Sequence, residues 1–114
     1  MDIDSNPDKW IILKINHDSE TYYKVFGSWY GDKWKINSGI KNITEDEHNY
    51  YIFGFSGSCY LCSKNDYGVA TSYSKMVLSD MIDKVKTNSN STLEILDEDV
   101  AKIILKTLNQ NEPT

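Results

Sequence analysis

The chain has 114 residues, of which 39% are hydrophobic, and this size and composition indicate one globular domain over residues 1–114. All 12 basic residues are lysines and 17 residues are acidic, so the net charge of −5 argues against direct nucleic-acid binding. No apolar run approaches the roughly 18 residues that cross a membrane. The polar, acidic N-terminus is unlike a signal peptide, so we expect a cytosolic protein with reduced cysteines.

Alternating apolar residues predict β-hairpins over residues 10–63, after a polar leader or cap at residues 1–8. In "WIILKI", residues 10–15, the odd positions are expected to face the core. The stretch "HDSE", residues 17–20, favours a turn, because Asp and Ser hydrogen-bond to their own backbone. Gly31-Asp32 then predicts a hairpin between two further strands.

The same alternation sorts the aromatic side chains of these hairpins onto two faces. Val25, Trp29, Trp34 and Ile36 are assigned to the core. Five other rings fall on the opposite face, where we expect partial exposure: Tyr22, Phe26, Tyr30, Tyr50 and Tyr60. Such a row serves either cross-strand packing or binding of a partner, and the pattern leaves both open.

A further pair of strands is predicted at residues 49–55 and 59–63, around the turn "SGS". Its alternation places Tyr51, Phe53 and Phe55 on one face. The acidic stretch "ITEDEHN", residues 43–49, is interpreted as a connection between hairpins.

From residue 71 the apolar period becomes helical. The pattern predicts a helix over residues 71–87, a short strand over 92–96, a helix over 97–109 capped by Asp97, and a frayed tail at 110–114. The second helix carries an apolar stripe of Val100, Ile103, Ile104 and Leu108. The expected fold is therefore α+β: a twisted antiparallel sheet of about five strands with two helices on one face, and closure into a barrel stays open.

The two cysteines and two histidines give little support for a catalytic or metal centre. Zinc needs four ligands, and Cys59 and Cys62 lie in a predicted strand, where positions i and i+3 point to opposite sides. We therefore expect one buried and one surface cysteine, no metal and no cofactor. His17 and His48 lie in polar stretches, so a small nuclease built on them is the weakest of the alternatives.

Two groups of residues are candidates for contact with a partner protein: Tyr30, Asp32 and Lys33 at the hairpin turn, and Glu45, Asp46 and Glu47 in the acidic connection. The sequence gives no structural explanation for the acidic triplet. Asp97-Glu98-Asp99 does have one, because carboxylates are stabilising at the positive end of a helix dipole. A nucleotide stacking on Trp29, Tyr30 or Trp34 is the alternative.

Three segments carry a resemblance: "SWYG" (28–31), "WKINSGI" (34–40) and "SGSCYLC" (56–62). They resemble a group of short bacteriophage-encoded proteins without an assigned role, over residues 22–68. The connection after Gly31 is shorter here than in that group. The resemblance implies a phage protein that acts in a bacterial host. Small acidic phage proteins often bind and disable a host protein, including components of CRISPR and other antiviral systems.

With the context that the resemblance implies, the sequence favours a non-enzymatic inhibitor that binds a bacterial host protein, a component of an antiviral defence system, in the host cell cytoplasm. The alternative is a small-ligand binder that sequesters a nucleotide signal of a defence system. The sequence also leaves open whether the chain forms a homodimer.

Overall fold

The computed structural model describes residues 2–88 and 90–110, so the predicted frayed tail lies outside them apart from Gln110. Within these residues there are seven strands and two helices. In chain order they are β1 (Lys9–His17), β2 (Glu20–Ser28), β3 (Trp34–Ile36), β4 (Ile40–Glu45), β5 (Asn49–Gly54), β6 (Cys59–Ser63), α1 (Ser72–Lys86), β7 (Ser91–Ile95) and α2 (Glu98–Gln110).

The strands form two antiparallel sheets rather than one. The first has the order β3-β2-β1-β7 and the second the order β4-β5-β6. The predicted α+β class is confirmed, with seven strands instead of about five. Among the described residues each sheet is open, with two edge strands, so neither closes into a barrel.

The turn between β1 and β2 confirms the prediction from "HDSE". His17 pairs with Glu20, which leaves Asp18 and Ser19 as the two connecting residues. Their φ angles are +48° and +70°. Two successive positive φ angles are the geometry of the tight hairpin turn whose twist matches that of the strands.

Strand β1 is apolar on both faces, and this decides where the cores lie. Trp10 and Ile12 belong to an inter-sheet core, which lies between the two sheets and also contains residues of α2. Ile11 and Leu13 belong to a second cluster, the α1 core, on the other face of the same strand. The prediction that only the odd positions face a core is therefore incomplete, because β1 is an internal strand with both faces covered.

The two helices cover opposite faces of the four-stranded sheet, not one face as the sequence predicts. Leu78 of α1 is 1% exposed in the α1 core, whereas Ala101 and Leu105 of α2 are fully buried in the inter-sheet core. The physical reason is β1, whose two apolar faces both need cover. The helix bounds come within one residue of the predicted ones, and the Thr71 side chain accepts a hydrogen bond from the Ser74 N–H at the start of α1.

The acidic stretch that the sequence treats as a connection is one only in part, because residues 43–45 belong to β4 and Asn49 begins β5. A register shift between Ile40 and Asn42 breaks its alternation, so Ile40 and Ile43 are both buried although they are three residues apart. The turn to β5 is confined to residues 46–48.

The two faces of β5 are reversed relative to the prediction. Tyr50 and Ile52 are buried, while Tyr51 and Phe53 are half-buried and Phe55 is 64% exposed. Phe26 and Tyr60, also expected on the exposed face, are 0% and 5% exposed. The predicted row of exposed rings is therefore wrong, and of its five members only Tyr22 and Tyr30 are exposed.

The N-terminal segment (residues 4–8) starts against the edge of β6, where Asp4 and Ser5 bond to that strand. The N–H groups of Asp4 and Ser5 donate to the Cys59 carbonyl oxygen at 2.9 and 3.2 Å, and the Leu61 N–H donates to the Ser5 carbonyl oxygen at 2.8 Å. Ser5 forms a parallel bridge with Tyr60. The segment thus acts as a cap that covers an otherwise unpaired sheet edge.

Two segments noted in the sequence, residues 34–40 and 56–62, meet where the two sheets adjoin. The Asn37 side-chain oxygen accepts hydrogen bonds from the N–H groups of Val25 and Gly39 at 2.9 and 3.3 Å. The Ser38 hydroxyl accepts the Ser56 N–H at 2.9 Å. These residues connect β2 of one sheet to the β5–β6 turn of the other.

Candidate functional site: the tip of the β2–β3 hairpin

The tip of the β2–β3 hairpin (residues 29–33) is closed by its own backbone. The Trp29 N–H donates to the Lys33 carbonyl oxygen at 2.9 Å, and the Asp32 N–H donates to the Trp29 carbonyl oxygen at 3.2 Å. Asp32 has φ of +63°, a conformation that Asp tolerates better than most residues. The hairpin predicted at Gly31-Asp32 is confirmed.

The N-terminal segment holds the tip from outside. The Trp29 indole N–H donates to the Asn6 carbonyl oxygen at 3.2 Å, and the Tyr30 N–H donates to the Asp8 carboxylate at 3.1 Å. A charge-assisted bond to a backbone N–H is stronger than a neutral one. The turn therefore presents its side chains from a fixed backbone.

The three rings proposed for stacking differ in how much of them a ligand could reach. The Tyr30 side chain is mostly exposed, at 64%, whereas Trp29 and Trp34 are half-buried. The Lys33 ammonium lies 4.7 Å from the centre of the Trp29 ring, in a cation–π contact. Trp34 stacks on Phe26 with 5.7 Å between ring centres. Tyr30 is thus the ring of this group that is best placed to meet a partner.

The acidic turn (residues 45–47) has structural roles that the sequence did not reveal. The Asp46 carboxylate accepts the N–H groups of His48 and Asn49 at 2.9 and 2.8 Å and the Tyr51 hydroxyl at 2.7 Å. The bond from Tyr51 is the largest of the causes that hold the pKa of Asp46 below its ordinary value of 3.8. The same bond raises the pKa of Tyr51.

The other two carboxylates of the acidic turn differ in availability. Glu45 pairs with Lys64, and this hydrogen bond raises the pKa of the lysine. The Glu47 side chain is 87% exposed, with its carboxylate 3.8 Å from the His48 ring. Glu47 is therefore the member of the acidic turn that is most open to a partner.

The two predicted contact groups lie in different parts of the molecule. The tip belongs to the β2–β3 hairpin of the first sheet, and the acidic turn belongs to the β4–β5 hairpin of the second. Sequence reasoning found both turns but missed Asn6 and Asp8, the residues that hold the tip. No local pattern marks them, because they act on residues more than 20 positions further along the chain.

Both cysteines are buried, which corrects the expectation of one buried and one surface thiol. Cys59 and Cys62 are 1% and 0% exposed and neither is in a disulfide. Burial raises the pKa of both thiols, which lowers their reactivity. Cys59 is not a member of the inter-sheet core, and its carbonyl oxygen accepts the N–H groups of Asp4 and Ser5.

The two histidines lie apart, in different hairpins. His17 is within hydrogen-bond distance of the Ser91 hydroxyl and 3.2 Å from Asp18, and His48 is 3.8 Å from Glu47. Over residues 2–88 and 90–110, no group of three or more His, Cys, Asp or Glu side chains is arranged to hold a metal ion.

Comparisons of the chain with protein-family models, with curated proteins and with solved structures give no match. In the described part of the chain, neither helix has the length and apolar character needed to span a membrane.

Proposed function

We propose that this protein binds and inhibits a protein of a bacterial host, a component of an antiviral defence system such as CRISPR, by contact and without catalysis. Tyr30 is the main contact residue in this proposal. The host context comes from the resemblance to short bacteriophage-encoded proteins; the choice of residue comes from the geometry of the tip.

The observation that carries the proposal is an exposed aromatic side chain on a fixed turn. The Tyr30 ring is 64% exposed, while its backbone N–H is held by Asp8. Tyr is common among residues that dominate binding energy, because it buries a large area with few rotatable bonds. A turn that is already ordered also pays less conformational entropy on binding.

The negative charge of the chain is the second feature that supports binding to a host protein. The chain carries a net charge of −5, which favours approach to a basic surface. Glu47 is the carboxylate of the acidic turn that is most exposed.

Glu47→Lys should slow association with the target, and the difference in association rate from the wild type should shrink as the salt concentration rises, because salt screens exposed charges. Stopped-flow association rates at low and high salt measure this, and an unchanged rate at low salt would show that the turn does not steer binding.

Phage challenge tests the proposal. Bacterial strains that each carry one antiviral system, including a CRISPR system, receive a plasmid for this chain and are infected with a phage that the system restricts. We expect the plaque count to rise in one strain.

Tyr30→Ala tests the role of the tip. It should weaken target binding about 30-fold, which corresponds to the roughly 2 kcal/mol that a hot-spot residue contributes, and should therefore lower the plaque count in that strain.

The matched control is Tyr73→Ala, because Tyr73 is a second exposed tyrosine, 49% exposed, and belongs to α1 rather than to the tip. Both variants should accumulate like the wild type, since the rings that they remove are largely solvated. Restriction that persists in every strain would contradict the proposed function. Equal activity of Tyr30→Ala and the wild type would contradict the role of the tip.

A further inference from the structure

Helix α2 presents a large apolar side chain to solvent on the side that faces away from the core. Ala101 and Leu105 are fully buried, and a rotation of about 100° per residue places Asp99, Ile103 and Lys106 on the opposite side. Ile103 is 64% exposed and Val100, next to it, is 45% exposed. The sequence counted both among the core-facing stripe of this helix, and the structure corrects that assignment.

The outward face carries charges of opposite sign on the two sides of Ile103. Asp99 lies four residues before it and Lys106 three residues after it, which corresponds to about 6 Å and about 4.5 Å along the helix axis. The neighbouring pair Glu98 and Lys102 is already engaged, with 2.8 Å between its charged groups. The outward face therefore runs from acidic through apolar to basic along the helix.

Such an order is complementary to itself when a second helix runs in the opposite direction. With the twofold axis close to Ile103, the isoleucines of the two copies meet and each Asp99 lies opposite the Lys106 of the other copy. The antiparallel arrangement also places the opposite ends of the two helix dipoles side by side. A contact that uses the same patch on both copies is the usual form of a symmetric dimer.

We infer that this protein forms a weak homodimer through the outward face of α2, with the two helices antiparallel. One helix face is small compared with the roughly 1,200 Å² that stable interfaces bury, so the dimer dissociates on dilution. The inference goes beyond the proposed function and uses a different surface from the hairpin tip.

Sedimentation equilibrium of the purified chain tests this without any host component. From about 10 μM to about 1 mM at low salt, the apparent mass should rise from the 13.1 kDa of one chain towards twice that value. Ile103→Glu should raise the dissociation constant at least tenfold, because it puts two carboxylates at the centre of the contact. The matched control is Met76→Glu, which changes an equally exposed apolar residue, 69% exposed, on α1 and should leave the dimer intact.

A charge exchange tests the orientation of the helices. Asp99→Lys and Lys106→Glu should each weaken the dimer, because each places like charges opposite one another, and the double variant should restore it. A chain that stays monomeric at every concentration would overturn the inference. A dimer that survives Ile103→Glu, or a charge exchange that fails to restore association, would overturn it as well.

Discussion

At the residue scale, Gly27 is where the N-terminal segment meets the hairpin that carries Tyr30. A Cβ at this position would lie 2.9 Å from the Pro7 Cβ and 3.0 Å from its Cγ, and a proline ring cannot rotate away. Gly27→Ala should therefore lower the free energy of unfolding by about 1–3 kcal/mol, measured by denaturant titration.

The matched control is Gly31→Ala at the tip, where an added Cβ meets no atom within 4 Å. This change should alter the free energy of unfolding by less than about 0.5 kcal/mol. In a Pro7→Gly background the cost of Gly27→Ala should fall. If the cost is the same in both backgrounds, the N-terminal segment does not lie against β2 as described.

Asp46 gives a prediction on pH. Its pKa is lowered by the hydrogen bond from Tyr51 and by two backbone N–H groups, so the folded chain binds a proton less readily than the unfolded chain. The ionised carboxylate therefore stabilises the fold above the ordinary value of 3.8, and this contribution is lost as the pH falls through the lower folded pKa. Asp46→Asn should lower the melting temperature at pH 7, and the gap to the wild type should narrow in acid.

Thermal unfolding at pH 7 and near pH 2 measures this difference. Glu47→Gln is the matched control, because Glu47 lies in the same turn with its side chain 87% exposed. It should change the melting temperature little at either pH. If the difference in melting temperature between Asp46→Asn and the wild type is the same at neutral and acidic pH, the charge of Asp46 does not stabilise the turn.

At the element scale, the two helices serve separate cores. Leu78 of α1 and Leu105 of α2 are 1% and 0% exposed, in clusters on opposite faces of the four-stranded sheet. Each Leu→Ala change should cost about 2–5 kcal/mol. The two costs should add within about 0.5 kcal/mol in the double variant, because the two leucines lie in clusters that share Tyr67 as a partly buried neighbour but no fully buried residue.

Denaturant unfolding of the two single variants and the double variant checks this. If the free energy of unfolding of the double variant is too low to measure, the same comparison can be made with Leu78→Val and Leu105→Val. A clear departure from additivity would mean that the helices share one core, as the sequence predicts.

The sequence predicted the period of most elements but not their environment. Alternation shows that Tyr50 and Ile52 share one face of β5 and Tyr51 and Phe53 the other, but both faces are apolar, so the pattern does not say which is buried. In β4 the bulge after Ile40 removes the alternation itself. Tertiary packing decides both cases.

The same limit applies to the candidate site. Gly31-Asp32 predicts a turn, so Tyr30, Asp32 and Lys33 could be placed at its tip from the sequence. The residue that fixes the Tyr30 backbone, Asp8, is 22 positions away and could not be found in this way. For Asp46 a local signal existed, because Asp commonly accepts backbone hydrogen bonds in turns.

At the scale of the whole molecule, the N-terminal segment ties the two sheets together. It pairs with β6 in the three-stranded sheet and then holds the tip of the β2–β3 hairpin in the four-stranded sheet. The contact surface that we propose therefore depends on the complete fold and not on an isolated hairpin. This is why changes at Pro7 or Gly27 should weaken target binding as well as stability.

The central claim is that the protein acts by contact, and a titration tests it most directly. The defence protein identified by phage challenge is held at a fixed concentration well above the dissociation constant, and its activity is measured as this chain is added. We predict that inhibition grows in proportion to the added protein and ends at a fixed small-integer ratio of the two chains. Complete inactivation by far less than stoichiometric amounts would show turnover and contradict the claim.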